Sequence, residues 1–520
     1  MSGELNVEHN TGIVSTGPNA INTLNQVTLP GGGLRAAEAV VCAPRTAELG
    51  PHAAGRLFVG REDELAELAA ALADGAGVIT TGLGGVGKST LAHRYAEVHR
   101  DRYNPIWWID AEDPDEIEAG LAALARRLYP DLALLPDPDA AAWGRAWLLC
   151  HEGWLLVLDN ATDPAHLADL VGSACGGRFL LTGRLTTGWE ELAAPVSLGV
   201  LTPQQALDLL ARASGRPDLL DGAAQLCEAL GYLPLAVRIA AAYMKENSVS
   251  AADYLARLAS PGGEVIAWTP TAGDPERTLA RIWLVSLRRI TEHHGALAQD
   301  VLRVLAWFAP TDIPVPMLYM LTDRPGSDID EALGRLAAYA LITRDGDAVS
   351  VHRMVQAAAR HATTSQPAVV AAVDEARDLA VAALRCTITP YDDPAGWPLW
   401  RRLMPHIDAL VAHAGPDHDD HATLLLLNGQ ATFLAGQGQV ERAIAVFERT
   451  ATAAAGRLGP DHPDILTSRN NLAEAYHAAG DPGRAVPLHE RTLADRERVL
   501  GPDHLITRTV RENLQHANSA

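Results

Sequence analysis

The sequence predicts a multidomain chain, α/β and then all-α: a parallel, doubly wound sheet domain, a helical domain, a winged-helix domain and an α-solenoid of helical hairpins. Three observations carry that prediction. Short apolar runs alternate with helical stretches from Leu57 to about Ser197, as in a sheet covered on both faces. A glycine-rich turn, Gly82 to Gly87, sits between one such run and a helical stretch. Gly-Pro-Asp-His recurs at Gly415, Gly459 and Gly501, a spacing of 44 and then 42 residues. At 520 residues the chain is too long for a single core.

The elements follow in order. Val78 to Thr81, Ile106 to Ile109, Trp154 to Leu158 and Arg178 to Thr182 read as strands, with Ser89 to Val98 and Glu116 to Leu128 as helices between them. After Leu201 the pattern turns helical, punctuated by Gly231-Tyr232-Leu233-Pro234. Leu341 to Arg344 and Val349 to His352 form a hairpin around Asp345-Gly346, and a hairpin among helices makes a winged-helix unit. In the C-terminal part Glu441-Arg442-Ala443 and Gly483-Arg484-Ala485 keep the 42-residue period, so helical hairpins stack and bury one another. The domains are thus a low-charge segment 1–34, a linker 35–56, the sheet domain 57–200, the helical domain 201–270, the winged helix 271–363, a helical connector 364–420 and repeats 421–520.

The chemistry concentrates at the first strand. Gly82-Leu83-Gly84-Gly85-Val86-Gly87-Lys88-Ser89-Thr90 fits the phosphate-loop pattern G-x-x-x-x-G-K-[ST]. Its glycines let successive backbone N–H groups face a phosphate, and the helix that opens at Lys88 adds its positive end. Lys88 supplies a point charge to the β- and γ-phosphates, and Ser89 a hydroxyl to Mg²⁺. The chain holds only two lysines, Lys88 and Lys245, among 42 basic residues, so a lysine here is specific. Asp159, ending Leu155-Leu156-Val157-Leu158, reads as the metal-side carboxylate. Asn160 follows where a second carboxylate often serves as base, and an amide cannot take a proton from water, so ATP hydrolysis should be slow unless Asp163 or another carboxylate substitutes.

Taken together these motifs resemble, in order, those of the NB-ARC branch of the STAND P-loop ATPases, NLR-like switches of bacterial type. Phe58-Val59-Gly60-Arg61-Glu62 is similar to the motif that opens the family's nucleotide domain, which implies Val59 and Arg61 beside adenine. Leu180 to Arg184 resembles the strand whose arginine, Arg184 here, senses the γ-phosphate. Gly231 to Ala236 resembles the motif whose proline, Pro234, packs on the base. Val351 to Gln356 resembles the winged-helix Met-His-Asp motif, which implies His352 on the ADP β-phosphate. Arg353 stands where the family has the aspartate that holds its inactive state, so the resemblance implies a looser off-state. The C-terminal hairpins resemble tetratricopeptide repeats of the long, kinesin-light-chain-like kind.

The resemblance implies a slow ATPase switch with ATP, ADP and Mg²⁺ as cofactors. A protein or peptide ligand at the repeats would favour opening, exchange to ATP and homo-oligomerisation. The oligomer would present its N-terminus to a separate effector, in immune or antiphage defence or regulated cell death. About 50 residues precede the sheet domain, too few for a catalytic effector, and residues 10–29 are uncharged and Asn-rich, similar to amyloid-signalling motifs. A net charge of −22 argues against nucleic acid as partner. Five scattered cysteines suit a reducing compartment, and no apolar run spans a membrane, so the expected location is cytoplasmic. Three other readings stand beside this one: an ATP-binding transcriptional regulator, a repeat scaffold with a structural nucleotide, and a small-molecule kinase. The downstream helical and winged-helix motifs count against the kinase.

Overall fold

A computed structural model describes residues 34–50, 57–173, 176–185, 187–259, 275–321, 325–360, 367–391, 393–457 and 461–517. The possible signalling motif in residues 10–29 lies outside them. The described residues form two compact units. One comprises Ala37–Leu124 and Trp143–Ala380; the other groups Val381 onward with Ala125–Ala142.

The chain opens with α1 (Glu62–Asp74), β1 (Gly77–Thr81), α2 (Lys88–Val98), β2 (Ile106–Asp110), α3 (Pro114–Leu128) and α4 (Asp137–Cys150), of which the end of α3 and the start of α4 are grouped with the second unit. There follow β3 (Leu155–Ala161), α5 (Ala168–Ser173), β4 (Arg178–Gly183) and β5 (Ala194–Ser197). The strands pair in parallel in the order β2-β3-β4-β1-β5. All five residues of β1 are buried, the reason its sequence is a continuous run rather than an alternation. Strand β5 was not anticipated, and neither was α4. Only Val196 of β5 is buried, so it carries no apolar run. Residues 46–48, expected as linker, run alongside β2: Ile106 N–H donates to Thr46 O at 3.0 Å and Glu48 N–H to Ile106 O at 2.8 Å.

The helical domain is α6 (Pro203–Ser214), α7 (Ala223–Ala229), α8 (Pro234–Asn247) and α9 (Ala251–Ala259). Thr202 and Gln205 close a reciprocal capping box at the start of α6. Pro234 sits in the first turn of α8, where its missing N–H costs nothing. The winged helix contains α10 (Pro275–His294), α11 (Leu297–Leu305), β6 (Ile313–Pro314), α12 (Val315–Leu318), α13 (Gly326–Ala338), β7 (Ile342–Asp345), β8 (Ala348–Val351) and α14 (Arg353–Arg360). Its strands form the antiparallel sheet β6-β8-β7, with Gly346 at φ +57° in the turn.

After α15 (Pro367–Thr387) come α16 (Trp397–Ala414), α17 (His421–Gly436), α18 (Val440–Arg457), α19 (Pro463–Ala478), α20 (Pro482–Leu500) and α21 (Leu505–Ala517). From α17 to α21 each helix packs on the next, as stacked hairpins must. Arg449 holds Asp419 through two 2.8 Å hydrogen bonds, and that carboxylate is fully buried. Asp137 accepts from Arg126 at 2.5 Å and from Arg401 and Gln439 at 3.1 Å each, all within this unit. Helix α19 is buried on nearly every face, including polar Asn470, Asn471 and Glu474. No helix among the described residues is long and apolar enough to cross a membrane.

Candidate functional site

Parallel pairing brings the carboxyl ends of the strands to one rim. Thr81 of β1 stands opposite Gly183 of β4, and Asp110 of β2 opposite Asp159 of β3. Loops leaving that rim converge on a cavity of about 820 Å³ in the first unit. The cavity is lined from the sheet domain (Val59, Lys88, Asp159), the helical domain (Pro234) and the winged helix (His352, Arg353).

Residues 82–87 have the curl that a phosphate cradle needs. Gly82, Gly85 and Gly87 have φ of +150°, +78° and +98°. A Cβ on Gly82 would lie 2.3 Å from Leu198 O, so no larger residue fits. Gly84, Gly85, Val86, Gly87, Lys88, Ser89 and Thr90 line the cavity, whereas Gly82, expected at the phosphate site, does not and instead packs against Leu198. Lys88 Nζ donates to Gly82 O at 2.9 Å and Leu83 O at 3.0 Å. Burial, then the charge of Arg184, pulls its pKa down to about 8, against the pull of Asp159.

Ser89 Oγ donates to Asp159 Oδ1 at 2.8 Å, and Thr182 Oγ1 donates to the same oxygen. A hydroxyl and a carboxylate oxygen side by side form a hard donor set that suits Mg²⁺. With the glycine cradle and the lysine, these residues fit a magnesium-bound nucleotide. Asp159 is 2 % exposed, which holds it in one orientation. Asn160, at φ +62°, shifts the β3–β4 register and turns its amide toward Asp110, at 3.4 and 3.5 Å from the two carboxylate oxygens. Asp163 caps a short helix turn through Ala165 N–H and does not line the cavity.

Arg61 lies 6 % exposed at the start of α1, donating to Glu64 and to Gly199 O at 2.6 Å each and to Val86 O at 3.5 Å. It therefore ties Val86 of the loop to the strand exit near Gly199. Val59 and Pro234 line the same cavity together with Leu201, Leu209 and Leu235, an apolar set suited to a base. Arg184 is exposed on the bend after β4 and also lines the cavity. His352 Nδ1 accepts from Met354 N–H at 3.2 Å, so in the neutral ring the proton sits on Nε2.

The structure adds residues that sequence reasoning passed over. Asp110 and Glu112 leave the end of β2, and Arg238 leaves α8 into the cavity. Asp110 is pushed up to about 6, chiefly by burial and despite Arg353 beside it. Glu116 is pushed up to about 8 by burial and by neighbouring carboxylates, Asp110 first. The signal for Asp110 was present: Ile106 to Ile109 followed by an acid has the form of the run that ends at Asp159.

The fold and motif set are those of a P-loop nucleotide-binding domain followed by helical and winged-helix domains and stacked helical hairpins. Comparisons with known proteins agree. A family model, "Tetratricopeptide repeat", matches residues 420–498. The crystal structure of a STAND protein with a tetratricopeptide repeat sensor from Pyrococcus horikoshii superposes with TM-score 0.53 at 15 % identity, covering 92 % of this chain and 70 % of that one. A "Nucleotide-binding leucine-rich repeat (NLR)-like protein" of Hyaloscypha variabilis is 25 % identical over 81 % of this chain and 46 % of its own length. "Regulatory protein AfsR" of Streptomyces griseus is 32 % identical over 35 % of this chain and 20 % of its own length. The chain thus spans less than half the length of these curated relatives.

Proposed function

We propose that this protein is a nucleotide-dependent signalling switch that binds ADP or ATP with Mg²⁺ in the 820 Å³ cavity and hydrolyses ATP slowly. The observation that carries the reading is that side chains from three consecutive domains line one cavity around a phosphate loop. A ligand there touches all three domains, so it biases their arrangement through its differential affinity for the alternatives. Lys88 and the loop amides would hold the phosphates, Ser89 and Asp159 the metal, Arg184 the γ-phosphate, and Val59, Arg61 and Pro234 the base. Bound Mg²⁺ would supply charge neutralisation on the transferring phosphoryl group. Slow turnover follows from Asn160, an amide at the position next to the metal carboxylate.

The repeats would capture a protein or peptide. The open form would associate with copies of itself and present residues 1–34 to a separate effector, in a cytoplasmic defence or cell-death response. The similarity to the NLR-like relative supports this. The relation to "Regulatory protein AfsR" supports a second reading, a regulator of transcription. The net charge of −22 weighs against direct DNA contact, and absence of a gel shift at physiological salt would remove that reading.

The test of the switch is the nucleotide released when freshly purified protein is denatured. We expect near-stoichiometric ADP from the wild type and almost none from Lys88→Ala. Equal nucleotide in the two preparations would overturn the site.

A further inference from the structure

Arg353 opens α14 directly after His352. Its guanidinium forks across two carboxylates at the end of β2: Nη2 donates to Asp110 Oδ2 at 3.0 Å and Nη1 to Glu112 Oε2. Arg353 is 28 % exposed and Asp110 29 %, so the pair is partly shielded from water. Glu116 is the third carboxylate here; together with Asp110 and Glu112 it places three acid oxygens within 4.8 Å of one another. The guanidinium offsets the charge of Asp110 and Glu112, so its loss leaves two neighbouring carboxylates facing each other rather than one broken surface pair. The residues on either side of Arg353 reach the phosphate loop. Met354 Sδ would lie 3.3 Å from a Cβ on Gly84, and His352 lines the cavity.

We propose that Arg353 is a positioning residue for nucleotide retention: its fork onto Asp110 and Glu112 seats His352 and Met354 against the phosphate loop. This rests on the nucleotide reading of the cavity. From the sequence, an arginine at position 353 implied a looser off-state. The geometry points the other way, because the acids that receive it are supplied by the sheet domain of the same chain. Asn160's amide also approaches Asp110, at 3.4 Å, so the carboxylate that receives Arg353 touches the residue that follows Asp159.

The experiment is a double-mutant cycle on full-length protein loaded with a fluorescent N-methylanthraniloyl ADP, with release followed after adding excess unlabelled ADP. Arg353→Ala should speed release on the order of tenfold, as for truncating one partner of a partly buried, doubly bonded ion pair with allowance for screening. In the Asp110→Asn, Glu112→Gln background the same change should have almost no effect. Arg353→Lys, which keeps the charge but loses the fork, should fall between wild type and Arg353→Ala, and it serves if the alanine variant does not fold. Additive effects, or unchanged release from Arg353→Lys and Arg353→Ala alike, would overturn the proposal. A wild-type chain unable to hold the analogue would overturn the nucleotide reading, and the Arg353 role with it.

Discussion

Single residues at the phosphate loop differ in how much they tolerate, and backbone conformation decides. Gly82 combines φ +150° with a carbonyl oxygen 2.3 Å from any Cβ, and that neighbour is backbone, which cannot swing aside. Gly84 meets only the flexible thioether of Met354, at 3.3 Å. Gly82→Ala should therefore abolish nucleotide binding and cost roughly 2 kcal/mol or more of stability. Gly84→Ala should change stability little. Chemical denaturation of the two variants separates these outcomes, and equal losses would mean that the 82–87 curl is not what matters. Asp110 shows a different kind of residue-scale lesson. Its role depends on facing Asp159 across a strand pair and on an arginine 243 positions away, and neither relation has a local signature.

At the scale of elements, α19 and α20 carry an unusual interior. His489 Nε2 stands 3.4 Å from Glu474 Oε1, with the two side chains 1 % and 8 % exposed. Burial pushes Glu474 up to about 8 and His489 down to about 4. A carboxyl with a raised folded pKa contributes stability that is complete below the unfolded value of 4.5 and is lost as pH rises through about 8. A histidine with a depressed pKa contributes above 6.5 and loses that contribution toward pH 4. The two slopes cancel between about 4.5 and 6.5, so the repeat unit should weaken by about 2 kcal/mol from pH 6.5 to 8. Glu474→Gln should flatten that decline, as measured by urea unfolding at several pH values; an unaltered slope would place the titration elsewhere. How much of the elements was legible in the sequence follows from burial. The strands covered on both faces (β1, β3, β4) announce themselves as apolar runs, and the 42-residue period announces the stacked hairpins. Strand β5 does not, because water reaches most of Ala194–Ser197, and α4 does not, because its apolar and small residues show little sidedness. Of the candidate site, the loop, Asp159 and the acid ending β2 at Asp110 have a local pattern, whereas Glu112 and Arg238 join it only through folding.

For the whole molecule, the division into two compact units has a thermodynamic consequence. The nucleotide cavity is lined wholly by residues of the unit Ala37–Leu124 and Trp143–Ala380. A ligand that binds only the folded form stabilises what it touches, by about 2.7 kcal/mol at a hundredfold excess over Kd. Scanning calorimetry with and without ADP should therefore show two transitions, only one of which moves upward with ADP. A single transition that moves as a whole would mean that the two units unfold together.

The short pairing of residues 46–48 with Ile106 bears on how this chain avoids sticking to itself. Strand β2 is the outermost on its side of the sheet, and its Ile106-Trp107-Trp108-Ile109 is apolar and rich in β-formers. A bare border of that kind is a template for any passing strand. The stretch around Ala47 acts as a selvedge: it occupies the backbone groups at the start of that border before a neighbour can. A truncation that ends before Ala37 leaves the selvedge in place. One that continues past Glu48 strips it away, and the shortened protein should tend to form intermolecular sheet.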